Sequence, residues 1–327
     1  MPQSNFRELS VFTPNYNHAT YLEKKIEQIV NQSVLPLEYL IIDDGSQDES
    51  WKIIEKYQEK YSWIKSYRNQ ENKGISYNLA ASLEICSGTL YYSTASDDVI
   101  LPGTFERLKD AYESIPDAGI FFGKMQMIDV DGKILNTLKP SGDITEGYIP
   151  PESFYEDYLS KQTARFSLGT STVYKKSCLK QIGGYPSSVN SWQDTLATWM
   201  IGIKYGAYYI DHTIASWRVL PNSLSAKDNK SLRTTIDNVI NSTKILNSFD
   251  TENRIPTDFV HIWAKDYLLD TATENFQALE KQRVKKKVLY NYIETAKSEY
   301  SSSVPSHLMP SKNLDSWFKK YSEVVNQ

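Results

Sequence analysis

The sequence predicts an α/β fold, a doubly wound sheet of strands and helices with a helical extension towards the C-terminus. Three observations predict it. Short apolar runs alternate with amphipathic stretches through the first hundred or so residues. The strand–helix unit recurs at about 30 residues, the length at which parallel strands are joined by right-handed crossovers. Two acidic pairs, Asp43-Asp44 and Asp97-Asp98, each follow an apolar run, at strand ends where such sheets place their ligands.

Taken in order, Leu9–Thr13 reads as a buried strand. Tyr21–Gln32 reads as a helix with Leu22, Ile26, Ile29 and Val30 on one face. A second strand, Tyr39–Asp43, runs into Asp43-Asp44-Gly45-Ser46. Ser46 and Glu49 have the spacing of a capping box for a helix carrying Trp51, Ile53, Ile54 and Tyr57. A third strand, Ile64–Arg68, precedes Asn72-Lys73-Gly74 and a helix from Ile75 to Cys86, closed by Gly88. The fourth, Leu90–Ser93, leads into Thr94-Ala95-Ser96-Asp97-Asp98. From about residue 118 to 217 shorter strands and turns suggest a mixed extension of the sheet, with one strong helix around Thr195–Tyr205. Beyond Asn222 the pattern is helical, through segments near 229–249, 257–280, 282–300 and 312–325. The expected division is an α/β domain over 1–225 and a helical region over 226–327.

Bulk properties narrow the function classes. A net charge of −4 argues against a nucleic-acid partner, which calls for a basic excess. Cys86 and Cys178 form no CxxC pattern, so neither a disulfide framework nor a cysteine-based zinc site is expected. The first ten residues lack the apolar core of a signal peptide, and no long apolar run is present. A cytoplasmic protein, at most peripheral to the inner face of a membrane, is the expectation. The 13% aromatic content favours carbohydrate binding only slightly.

In a parallel sheet the two acidic pairs open on one edge. Aspartate is also a common turn and cap residue, but two pairs on successive units suit a cation and a polar ligand. Adjacent like charges need neutralising, as Mg²⁺ or Mn²⁺ would do. These residues carry a resemblance. Leu9–Asn17 (LSVFTPNYN), Tyr39–Asp48 (YLIIDDGSQD), Asn72-Lys73-Gly74, Ser96–Pro102 (SDDVILP), Trp192-Gln193-Asp194 and Trp217–Ser225 (WRVLPNSLS) together resemble the family 2 glycosyltransferases, whose fold is the GT-A type, a Rossmann-like mixed sheet flanked by helices. The likeness spans about residues 7 to 225.

The resemblance implies an inverting transferase that moves a sugar from a nucleotide-diphosphate donor to an acceptor hydroxyl. Thr13, Pro14 and Tyr16 would line the nucleotide pocket. Asp43 would accept a hydrogen bond from the base, which favours a UDP-sugar, and Asp44 would support that turn. Lys73 would approach base or phosphates; a solvated loop lysine is the plain alternative. Asp97 would ligate the metal with Asp98 beside it. Asp194 would be the catalytic base, although its position also suits a helix N-cap. Arg218 would pair with the departing diphosphate. The resemblance further implies a glycan or lipid-linked glycan acceptor and synthesis of cell-surface polysaccharide (capsule, O-antigen or exopolysaccharide).

Two departures thin the expected metal site: Ala95 replaces the first aspartate of the acidic motif, and Leu220 replaces a histidine. They motivate a second reading, a catalytically degenerate protein that only binds a sugar nucleotide. The four histidines, His18, His212, His261 and His307, show no ligand spacing. Outside the resemblance, Arg283 and Lys285–Lys287 with Val288, Leu289, Tyr290 and Ile293 read as a basic amphipathic helix. Its ordinary reading is a solvated face; contact with an anionic membrane or homo-oligomer contacts are the alternatives. A nucleotidyltransferase or dinucleotide oxidoreductase is disfavoured, because no glycine-rich loop follows an early strand. The whole reading requires Asp43, Asp97 and Asp194 to border one cavity.

Overall fold

The computed structural model describes residues 4–142, 144–162, 169–221 and 232–257, with isolated positions at 223, 225–226, 259–260, 263–264, 271 and 298. The chain forms two compact units. The first comprises Met1–Lys161, Leu168–Pro186 and Ala197–Val219; the second comprises Gln162–Ser167, Ser187–Leu196 and Leu220–Gln327. No single cut in the sequence separates them.

The first unit holds a ten-stranded mixed sheet. Its strands are β1 (Ser4–Asn15), β2 (Val34–Asp43), β3 (Ile64–Arg68), β4 (Leu90–Ser93), β5 (Val99–Ile100), β6 (Ile120–Ile128), β7 (Ile134–Leu138), β8 (Gly147–Ile149), β9 (Thr172–Lys175) and β10 (Ala207–Arg218). The spatial order is β3-β2-β1-β4-β9-β6-β10-β5, with β7 on β6 and β8 on β10. The first four strands pair in parallel, as the repeated unit requires. The later strands are mainly antiparallel, the exception being β6 beside β10. The helices are α1 (Ala19–Val30), α2 (Ser50–Lys60), α3 (Ile75–Ile85), α4 (Thr104–Ser114), α5 (Phe154–Asp157) and α6 (Lys176–Gln181). The architecture is an α/β sheet flanked by helices, as the alternating pattern predicts.

Alternation along the central strands explains why both faces are covered. Leu9, Val11, Tyr39 and Ile41 join Leu22, Ile26 and Ile29 of α1, Ile54 of α2, and Phe105 and Leu108 of α4 in one core. Phe12 points to the other face and stacks on Tyr91, with ring centroids 6.2 Å apart. There the Tyr91 hydroxyl meets Ser82 Oγ of α3 at 2.7 Å. Strands buried on both faces read as continuous apolar runs, so these were the easiest elements to find.

Local details differ from the expectation. α2 starts at Ser50, and neither Ser46 nor Glu49 caps it. Ser46 Oγ instead takes the Asn17 N–H at 2.9 Å and an Asn15 side-chain N–H at 3.2 Å. Asp48 accepts the Ser50 N–H at 3.0 Å in place of the box. Gly88 does not close α3, which ends at Ile85 with Cys86 as its C-cap; it lies where a Cβ would come within 2.6 Å of the Glu8 carbonyl. The two-residue β5 was too short to carry a periodic signal.

One buried carboxylate sets an acid limit on the sheet. Glu38 in β2 accepts bonds from Ser10 Oγ at 2.6 Å, the Ser87 N–H at 2.5 Å and Ser87 Oγ at 2.8 Å, and pairs with Lys65. Burial opposes its charge, but the lysine and these donors prevail and hold its pKa down to about 2. A folded pKa below the unfolded value stabilises above the unfolded value and ceases to do so as pH falls through the folded one. Unfolding followed by fluorescence between about pH 4.5 and 2 should therefore steepen with acid. Glu38→Gln should flatten that part of the profile.

The second unit contains α8 (Leu232–Phe249) and the start of α7 (Gln193–Tyr205), whose C-terminal part belongs to the first unit. A 3₁₀ stretch, Ser187–Trp192, leads into α7. Asn190 there is left-handed at φ 47° and donates to Asn238 Oδ1 of α8 at 3.0 Å. Trp192 meets Trp263 edge-on at 5.2 Å. The expected basic helix at 283–293 and the helices near 282–300 and 312–325 lie outside the described residues, as do all but six positions of that near 257–280. No described helix is long and apolar enough to cross a membrane.

Candidate active site

The C-terminal ends of β2, β1 and β4 lie side by side in the sheet, and each delivers a polar group. From β1 come Thr13, wholly buried, Pro14, partly buried, and Asn15. Tyr16, at the turn beyond, is 44% exposed. From β2 come Asp43 and Asp44, both buried. Beyond β4 come Asp97 and Asp98, both at the border of burial at 9% and 5% exposure. The sheet thus brings the two acidic pairs to one edge.

The pair after β2 is tightly held. Asp43 Oδ1 takes a side-chain N–H of Asn15 at 2.9 Å, and Oδ2 takes the Ser46 N–H at 3.2 Å. Arg68 lies 3.4 Å from Oδ2, donates to the Ser46 carbonyl at 3.0 Å and stacks over the Trp51 ring. Both oxygens of Asp43 are engaged within the protein, and a base N–H would be a further donor to them. Asp44 faces the loop after β3. It accepts the Asn69 side-chain N–H at 2.7 Å and the backbone N–H groups of Lys73 and Gly74, both at 2.9 Å. Gly45 between these residues and Ser46 has φ 75°, and a Cβ there would stand 2.8 Å from the Glu71 backbone. The Lys73 ammonium projects outward, 4.6 Å from the Tyr77 ring centroid.

The pair after β4 is organised differently. Asp98 Oδ1 accepts the Arg218 backbone N–H at 3.0 Å, and Oδ2 the Thr170 hydroxyl at 2.8 Å. Arg218, at the end of β10, spends its guanidinium on carbonyls: Asp97 at 2.9 Å, Asp129 at 2.9 Å and Val130 at 3.0 Å. It also lies 5.0 Å from the centroid of the Tyr21 ring. Carbonyls rather than a neighbouring carboxylate hold its side chain, which joins the acidic loop after β4 to the turn between β6 and β7. Burial, then the adjacent Asp97, push the Asp98 carboxyl above the ordinary range, while Lys25 pulls it back. His18 Nδ1 lies 2.8 Å from Ser96 Oγ and joins the start of α1 to this acidic loop.

Lys25 is the residue the sequence reading missed. It has no exposed surface, and its ammonium donates to Thr94 Oγ1 at 2.8 Å. Burial draws its pKa down, and the charges of Asp98 and Asp97 draw it up. A signal existed: Lys25 follows Leu22 by three and precedes Ile29 by four, so it sits on the apolar stripe of α1. Asn15, Ser46, Arg68 and Thr170 were also missed as site residues.

Asp194 belongs to the second unit. α7 begins one residue before it, so it stands inside the first turn rather than at the N-cap. Its Oδ1 accepts the Thr195 N–H at 2.7 Å. The residue is half-buried, and desolvation of its carboxylate raises its pKa despite that bond. Such a carboxylate is a stronger proton acceptor than a solvated one.

Among the described residues no group of three His, Cys, Asp or Glu side chains could hold a metal. Asp97 and Asp98 supply two carboxylates, but both Asp98 oxygens already accept bonds. Ala95 and Leu220 carry no ligand atom. A hard cation takes six or more oxygens, so these residues do not by themselves make a resident Mg²⁺ or Mn²⁺ site. A separate hollow of about 370 Å³, against Ser76, Leu83, Lys180 and Tyr185, touches none of the expected site residues.

Comparison with known proteins agrees with the geometry. The family model "Glycosyl transferase family 2" matches residues 10–183. Among curated relatives, the Escherichia coli chondroitin synthase is 26% identical over 39% of this chain and 18% of its own length. The Bacillus subtilis putative teichuronic acid biosynthesis glycosyltransferase TuaG is 27% identical over 71% of this chain and 87% of its own. The chain thus spans under a fifth of the first of these relatives. Among solved structures, S. aureus TarS 1–349 in complex with UDP superposes with a TM-score of 0.66 at 16% identity, covering 99% of this chain and 88% of that one. The mannosyltransferase PcManGT of Pyrobaculum calidifontis, in complex with GDP-Man and Mn²⁺, gives 0.53 at 16% identity over 100% and 88%. At such identities the structures establish the GT-A fold.

Proposed function

We propose that this chain, which belongs to glycosyl transferase family 2, moves a sugar from a UDP-sugar to an acceptor hydroxyl during synthesis of a cell-surface polysaccharide. The observation that carries this reading is the convergence of Asn15, Asp43, Asp44, Asp97 and Asp98 at the ends of three adjacent strands. Thr13, Pro14 and Tyr16 form the wall of the nucleotide pocket, with Tyr16 exposed to stack on a base. Asp44 holds the loop that carries Lys73, whose ammonium would turn from Tyr77 to the base or phosphates of the donor. Arg218 shapes the floor under Asp97 and Asp98, and its influence on the diphosphate is exerted through that loop.

Asp194 is the proposed base. It takes the proton of the acceptor hydroxyl as the oxygen attacks the anomeric carbon, while the bond to the nucleotide diphosphate breaks on the opposite face. One displacement inverts the anomeric configuration, through a transition state with oxocarbenium character. TarS crystallised with UDP and TuaG's role in teichuronic acid synthesis support a UDP-sugar and an envelope glycan, free or lipid-linked. The GDP-Man bound to PcManGT makes a guanine donor the competitor. A catalytic region over 1–225 and a helical region over 226–327 remain the proposed functional division.

The test is a panel of UDP- and GDP-sugars scored by thermal stabilisation, then by release of free nucleotide with glycan acceptors. Stabilisation by a UDP-sugar, with turnover, supports the proposal. Stabilisation without turnover on any acceptor favours the binding-only reading motivated by Ala95 and Leu220. Stabilisation by GDP-sugars alone would overturn the choice of donor.

A further inference from the structure

The acidic loop after β4 already has cationic side chains of the protein beside it. Lys25 hydrogen-bonds Thr94 of this loop and acts electrostatically on Asp97 and Asp98, while the Arg218 guanidinium donates to the Asp97 carbonyl. Lys25 is the unusual member, a fully buried ammonium on an otherwise apolar helix face. A buried charge is retained only when paired or strongly hydrogen-bonded. Here Thr94 accepts its proton at 2.8 Å and the carboxylates supply the opposing field. Arg218 is anchored to three carbonyls. A divalent ion entering this loop would add its charge to cations already in place, and would find no third protein ligand among the described residues.

We propose that the ammonium of Lys25 does in this chain the electrostatic work of a divalent cation behind Asp97-Asp98, so that a nucleoside diphosphate binds without metal. The inference rests on the reading of this strand edge as a nucleotide-diphosphate site. Lys25 touches no substrate; it is a positioning residue that acts through Thr94 and the acidic loop. Its ammonium is held on Thr94 before any ligand arrives, so the loop needs no ion to reach its binding geometry. The departures at Ala95 and Leu220 follow: side chains that would complete a metal shell have no ion to hold.

Calorimetric titration of the full chain with UDP and GDP, in EDTA and in Mn²⁺, tests this. The wild-type dissociation constant should change by less than about threefold between the two conditions. Lys25→Met, close in volume and uncharged, should weaken binding in EDTA by about tenfold, with Mn²⁺ recovering most of the loss. A tenfold or greater requirement for Mn²⁺ in the wild type overturns the proposal. So does a Lys25→Met protein weakened equally in both conditions, because that marks Lys25 as a packing group. If Lys25→Met does not fold, the wild-type comparison alone decides. If neither nucleotide binds under either condition, the nucleotide-site reading falls first, and the proposal with it.

Discussion

Asp194→Asn is expected to lower the rate of sugar transfer by about 10²- to 10⁴-fold, the usual contribution of a positioned general base, while leaving the dissociation constant for the donor nucleotide unchanged. Asparagine keeps the acceptor oxygen that receives the Thr195 N–H, so the first turn of α7 stays intact. What it removes is the ability to take a proton. Because desolvation raises the carboxyl's pKa, the acid limb of the wild-type rate profile should lie above the ordinary aspartate range. Rate is lost as pH falls through that limb, and the variant's residual rate should lack it. Stability moves the other way. A folded pKa above the unfolded one stabilises at low pH and ceases to do so as pH rises, so at neutral pH the neutral variant should melt no lower than the wild type. A variant with full turnover, or one that loses nucleotide affinity in step with rate, would remove Asp194 from the role of base.

Asp44→Ala should be the most damaging single change at the nucleotide edge. Three N–H donors converge on this buried carboxylate, and hydrogen bonds to charged groups contribute about 1.5–3 kcal/mol each in favourable cases. Water re-entering the gap recovers part of that, so a loss of about 3–5 kcal/mol is expected. Urea denaturation gives the value, as a lowered midpoint with unchanged slope. Asp44→Asn retains Oδ1, which serves Asn69 and Lys73, and loses the acceptor for Gly74; it should cost less than half as much. Nucleotide affinity should fall in the same order, since the freed loop carries Lys73. Equal stability of the alanine variant and the wild type would show that this loop is held by other means.

The parts of the molecule that could be read from residues alone share a physical cause. β3 and β4 fall where the apolar runs put them, and β1, β2, α1 and α3 are found with ends shifted by a few residues. Burial on two faces leaves a long apolar signature, and helix amphipathicity leaves a periodic one. A supporting role for Asp44 came only from the family resemblance; that it holds the loop at Asn69, Lys73 and Gly74 was decided by the fold. The roles of Ser46 and Glu49 were misjudged, since a capping box and a strand-end loop offer the same residues at the same spacing. Only the position of Asn15 and Asn17 on β1 decides which N–H groups reach Ser46 Oγ.

Sequence by itself determined the α/β class, the parallel pairing of the first four strands and the arrival of both acidic pairs on one sheet edge. These follow from periodicity and chain connectivity, which are local properties of the chain. Tertiary structure alone decided that Arg218 binds carbonyls, that Asp98 is tied to Thr170 and the β10 backbone, and that Lys25 lies beneath the acidic loop with no exposed surface. Those facts join residues 69 to 121 positions apart or set the solvation of a single charge. Long-range contact and desolvation are properties of the folded neighbourhood, and no spacing along the chain records them.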